Sequence, residues 1–118
     1  MNILLTNDDG IDSEGLRVLA NVLRADHEIW IVAPDGERSG SSHSVTLKEP
    51  TKIHRVSDRE YSCEGTPADC VIIAVLAIVP KNIDLVISGI NKGPNLGTDI
   101  TYSGTEAAAR QGAVMGKP

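Results

Sequence analysis

The sequence contains no phenylalanine, and aromatic residues make up only 3% of its 118 positions. A base-stacking platform for single-stranded nucleic acid needs rings, so that class is excluded. Basic residues are also short, with 11 Lys plus Arg against 16 Asp plus Glu and a formal charge of -5. Duplex nucleic acid is bound by neutralising phosphates and wants the opposite balance. The longest apolar run, Cys70 to Val79, covers about half of the ~20 residues that a bilayer crossing needs, so no membrane partner is expected. The first seven residues, Met1 to Asn7, lack the basic start and small-residue cleavage site of a secretion signal, and a cytoplasmic address is expected. Cysteine is scarce too. Cys63 and Cys70 have neither C-x-x-C spacing nor companion pairs, which argues against zinc and redox motifs and for two buried free thiols.

What remains is aliphatic. Hydrophobic residues form 41% of the chain and charged residues 23%, the balance of an ordinary globular domain, and the length suits one domain over 1–118. Asn2 to Thr6 is a short apolar run that stops at Asn-Asp-Asp-Gly, as a buried strand does. Leu16, Leu19, Ala20 and Leu23 then fall at helical spacing behind Ser13 as N-cap, giving a helix to about Arg24. Glu28 to Ala33 reads as a second strand ended by Pro34. This βαβ unit implies a parallel sheet. Residues 44–63 alternate weakly and suggest short strands at the sheet edge. Thr66-Pro67-Ala68-Asp69 starts a helix that carries the run to Val79 and stops at Pro80. Leu85 to Ser88 is a further strand, and Ser103-Gly104-Thr105-Glu106 fits a capping box before a last helix. The fold class is therefore α/β, a doubly wound, mainly parallel sheet with helices on both faces. Gly116-Lys117-Pro118 has the look of a turn before another strand, so the sheet is expected to be incomplete at its C-terminal side.

Ligands of open parallel sheets bind outside the carboxyl ends of the strands. Three polar loops follow strands here: Asn7, Asp8 and Asp9 in the first; Asp35, Arg38, Ser39, Ser41, Ser42 and His43 in the second; Asn91, Asn95 and Asp99 in the third. Asp8 and Asp9 are adjacent like charges, which a cation would relieve. Hard oxygen ligands favour Mg²⁺, Mn²⁺ or Ca²⁺ over zinc or copper. Arg38 to Ser42 offers a guanidinium, hydroxyls and backbone N–H groups to an anion such as phosphate, and Ser103-Gly104-Thr105 at a helix N-terminus offers a second anion position. His27 and His54 are expected at the surface or in packing, Trp30 in the core, and Lys92 in solvent.

Asn7-Asp8-Asp9-Gly10, Ala33-Pro34-Asp35 with Arg38-Ser39-Gly40, Gly65 to Cys70, Ser88 to Asn95, and Ser103-Gly104-Thr105 occur in this order over the whole chain. In that order they resemble the SurE survival-protein nucleotidases, metal-dependent phosphatases of nucleoside monophosphates. The resemblance implies a Rossmann-like N-terminal domain and one divalent cation, Mg²⁺ or Mn²⁺, held by Asp8, Asp9, Ser39 and Asn91. It implies as substrate a small phosphate ester, a nucleoside 5'- or 3'-monophosphate, and a homodimer or homotetramer as the assembled form. Family members run to roughly twice this length. On that reading Asp8 and Asp9 are catalytic, while Asn7, Gly40, Ser41, Ser42, Asn95, Ser103, Gly104 and Thr105 bind the phosphate or the rest of the substrate.

The alternative is a phosphoacceptor receiver module, which also carries an acidic pair after its first strand and binds Mg²⁺. It needs an acceptor Asp ending a central strand, whereas Asp35 lies beyond a proline. A dinucleotide-binding domain would open its first helix with G-x-G-x-x-G, which is lacking here.

Overall fold

In the computed structural model, which describes residues 1–36, 51–93 and 103–118, the apolar runs of the first two strands become buried elements, while the run from Cys70 to Val79 is mostly buried in its first half and leaves Leu76 72% exposed. The strands are β1 (Asn2–Thr6), β2 (Glu28–Pro34), β3 (Ile53–Ser57), β4 (Glu60–Cys63) and β5 (Leu85–Ser88). They form one sheet in the order β3-β4-β2-β1-β5. All neighbours are parallel except β3 and β4. The described part of the weakly alternating segment, 51–63, is thus an antiparallel excursion toward one edge, and its residues 44–50 lie outside the described residues. All five β3 residues are exposed, so little apolar alternation was needed there.

The helices are α1 (Glu14–Leu23), α2 (Pro67–Ile73) and α3 (Gly104–Val114). Alternate β1 residues feed two separate cores. Ile3 and Leu5 join Ile29, Ile31, Leu16 and Ala20 under α1, whereas Leu4 joins Val32, Val71, Ala74 and Ala108 under α2 and α3. Helices therefore cover both faces, and the Rossmann-like α/β architecture expected from the sequence is present.

Several local details differ from expectation. Ser13 is the N-cap of α1 but makes no side-chain bond to that helix. Its Oγ accepts from Asn7 Nδ2 at 2.6 Å instead, so the hydroxyl braces the loop after β1. The run from Cys70 to Val79 is α-helical only to Ile73 and continues over Ala74–Ile78 as a wider π turn, in which Val79 N donates to Ala74 O at 3.0 Å. At α2 the box is complete: Thr66 Oγ1 accepts from Asp69 N and Asp69 Oδ2 accepts from Thr66 N. At α3 only half of it forms. Ser103 Oγ accepts from Glu106 N at 3.2 Å, while the Glu106 carboxylate turns to Arg110. A long partner four residues on competes for that carboxylate.

Trp30 is 7% exposed and lies in the core, with Arg59 over its ring at 5.9 Å. Cys63 and Cys70 are free and buried, as expected. Contact with the Cys70 thiol holds the Cys63 thiol below its ordinary pKa against the opposing effect of burial, helped by the Gly65 N–H at 3.2 Å. His54 pairs with Glu64 at the surface, and half-buried His27 faces the N-terminal amine. Val86 N donates to Pro118 O at 2.8 Å, so the last residue lies alongside β5. Among the described residues no helix is long and apolar enough to cross a membrane.

Candidate active site

β1 sits between β2 and β5, and the chain winds from β1 toward β2 on one side and reaches β5 on the other. The crevice between the carboxyl ends of β1 and β5 is the switch point at which doubly wound sheets bind ligands. The acidic pair stands there. Asp8 is 5% exposed and Asp9 half-buried.

The loop carrying them is shaped from within. Asn7 is fully buried; its Nδ2 donates to Gly10 O at 2.8 Å and its Oδ1 accepts from Gly10 N at 3.1 Å. Gly10 adopts φ +110°, a conformation that suits glycine, and a Cβ there would lie 3.1 Å from the Gly36 backbone. Ile11 N donates to Pro34 O at 2.8 Å. The first loop is thus pressed against the start of the second.

The third loop reaches the same place. Gly89 N donates to Thr6 O at 2.9 Å, and Lys92 N donates to Asp9 Oδ2 at 3.0 Å. Asn91 donates through Nδ2 to Gly93 O at 2.7 Å, so Oδ1 is the atom of that side chain that could serve a ligand. Gly15, in the first turn of α1, allows the close approach, because a Cβ there would stand 2.4 Å from Ile90 O.

Asp8, Asp9 and Asn91 are therefore gathered on one side of the molecule. Ser103 and Gly104 are buried at the start of α3, which packs on β5, with Thr105 half-buried beside them. Arg38, Ser39, Gly40, Ser41, Ser42, His43, Asn95 and Asp99 lie outside the described residues. Among the described residues no three His, Cys, Asp or Glu side chains cluster as metal ligands. The donors present are two carboxylates and an amide oxygen, all hard, and such a set fits Mg²⁺ or Mn²⁺.

Sequence reasoning missed the Lys92 backbone N–H, assigning interest only to its side chain, and missed Gly36 and Gly15 as contact points. Gly15 in the first turn of α1 and Gly36 just after β2 were the available signal. It also missed three buried hydroxyl oxygens that have no hydrogen-bond partner among the described residues: Thr6 Oγ1, Ser88 Oγ and Thr105 Oγ1. Thr6 and Ser88 are register partners on the strands that bound the crevice.

The family model described as "Survival protein SurE" matches residues 3–118. The chain belongs to the SurE family. It is 54% identical over 122 residues to a protein of Clostridium botulinum (strain Kyoto / Type A2) named 5'-nucleotidase SurE, covering 100% of this chain and 48% of that one. A protein of the same name from Kosmotoga olearia is 53% identical over the same shares. The crystal structure of the SurE protein from Aquifex aeolicus superposes with a TM-score of 0.95 at 46% identity, again over 100% of this chain and 48% of that one. The chain thus spans about half the length of the SurE relatives it matches. Family membership removes the receiver-module alternative.

Proposed function

We propose that this polypeptide forms the metal-binding half of a phosphomonoesterase that hydrolyses nucleoside 5'- and 3'-monophosphates to nucleoside and phosphate. The observation that carries the reading is the bond from Lys92 N to Asp9 Oδ2, which closes the third loop on the acidic pair. The names of the relatives, 5'-nucleotidase, support it.

Asp8, Asp9 and Asn91, with Ser39, would hold one Mg²⁺ or Mn²⁺. When bound, such an ion polarises a phosphoryl oxygen and acidifies a water molecule. Asp9 is held by Lys92 N, so its carboxylate need not reorganise as charge develops. Asp8 or Asp9 accepts the proton of the attacking water. Gly40, Ser41, Ser42, Asn95, Ser103, Gly104 and Thr105 supply neutral donors to the phosphate, with Asn7 setting the shape of the acidic loop. That division suits a net-acidic protein, to which the ion would add the positive charge that its substrate needs. A cytoplasmic, homo-oligomeric enzyme without nucleic-acid or membrane partners completes the reading.

The test is inorganic phosphate release from AMP with Mn²⁺ and with chelator, by this chain, by a longer form that includes the rest of the family pattern, and by Asp9→Asn. Metal-dependent release by the longer form that Asp9→Asn abolishes is expected. A longer form that is inactive, or indifferent to chelator, refutes the proposal.

A further inference from the structure

Next to the acidic pair lies a cavity of about 310 Å³ lined by Glu14, Gly15, Val18, Ile90, Asn91 and Lys92. Its volume is at the lower end of the range for small-molecule sites, about 300 Å³ and upward. Two of its walls are aliphatic side chains left in solvent, Val18 at 51% and Ile90 at 54% exposure. Single exposed apolar residues need no explanation, but two that face a cavity with polar groups at its rim have the make-up of a binding site.

The cavity is built by backbone. Gly15 brings α1 onto the Ile90 carbonyl, and Lys92 N fixes the opposite rim to Asp9. Asn91 belongs both to this lining and to the proposed ion ligands. An ester whose phosphate sits at Asp8 and Asp9 therefore has this cavity beside it for its leaving group.

We propose that this cavity receives the nucleoside part of the substrate, the base lying between Val18 and Ile90, with the Glu14 carboxylate at the rim accepting from its N–H or O–H groups. This rests on the phosphomonoesterase reading and deepens it by placing leaving-group selection on α1 and the third loop. Aliphatic walls take the role that aromatic stacking has elsewhere, in keeping with a chain without phenylalanine. The larger cleft, about 670 Å³ beside Arg24, His27 and Arg59, lies at the opposite end of the sheet and is not available to such a leaving group.

The experiment is adenosine binding to this chain, read by amide chemical shifts. Shifts at Gly15, Val18, Ile90 and Lys92 are expected, lost in Val18→Asp and in Ile90→Asp, and kept in Val22→Asp, one turn further along the same exposed face. Both sites of substitution are more than half exposed, and thermal melts check that the variants stay folded. In the longer form, Val18→Asp should lower the ratio of kcat/KM for AMP to that for methyl phosphate by about tenfold or more. Absent adenosine shifts, shifts elsewhere, or an unchanged ratio overturn the proposal. If adenosine binds in the cavity but no ester is hydrolysed, the hydrolase reading falls while the nucleoside pocket stands.

Discussion

The two ends of the sheet treat their carboxylates in opposite ways. At the amino ends, Glu28 meets Lys81 and Arg59, and Glu60 meets Arg17 and Arg24. These two acids are each matched by two side-chain cations of the chain itself, and both are held below their ordinary pKa. At the carboxyl ends, Asp9 takes a backbone N–H from Lys92 rather than its ammonium, and among the described residues no ion pair reaches Asp9. An acid neutralised by its own chain stabilises the fold, whereas one positioned by neutral donors keeps its charge for something that arrives. Cavity size points the other way, since the roomier cleft is at the neutralised end. Charge balance is the better guide, because a cation gains little beside Glu28 and Glu60, which are already paired.

The sharpest way to break this contrast is to remove one acid from each end. Asp8→Asn and Asp9→Asn should each cost the longer form on the order of 100-fold or more in kcat/KM for AMP. Glu60→Gln should leave turnover unchanged and show only in stability. Equal losses from both ends would mean that the contrast is not functional.

A smaller effect tests how the acidic loop is held. Gly10→Ala places a methyl group 3.1 Å from the Gly36 backbone at φ +110° and should cost about 1–3 kcal/mol by urea unfolding. A neutral substitution would show that the first two loops are not tightly packed. Thr66→Ala removes one arm of the α2 capping box and should cost about 1 kcal/mol.

An effect as small as that at Thr66 is expected at Glu60. Burial raises its pKa, but the bonds and charges of Arg17 and Arg24 outweigh that, and the net shift is downward from 4.5. A lowered carboxyl pKa stabilises the fold above the unfolded value and loses that contribution as pH falls through the folded value. Glu60→Gln should therefore cost about 1 kcal/mol at pH 7, and the gap in Tm to the parent should shrink as pH falls below about 4.5 and close in stronger acid. A gap that stays constant with pH would assign the loss to packing.

The same contrast sorts what the sequence reveals. β1 and β2 were legible because both of their faces are buried, and β5 because its apolar run lies beside β1 with Val86 buried and Leu85 and Ile87 partly so; all three end in polar loops. Asp8, Asp9 and Asn91 were legible as oxygen donors following those strands. The role of the Lys92 N–H was not, since any residue carries that group and only the meeting of two loops separated by 83 positions makes it count. The π turn after Ile73 and the half-formed box at Ser103 were hidden for a related reason: each depends on a competing bond, not on residue type alone. β3 was faint because no core lies against it.

The central claim is that loops one and three gather their oxygens around one dication at the carboxyl ends of the strands. Mn²⁺ titrated into this chain, followed by paramagnetic broadening of amide resonances, tests it directly. Broadening of Asp8, Asp9, Gly10, Asn91 and Lys92 together at one stoichiometric equivalent, with Glu28 and Glu60 unaffected, is the predicted result. Broadening centred on Glu28 and Glu60, or confined to one of the two loops, would contradict it.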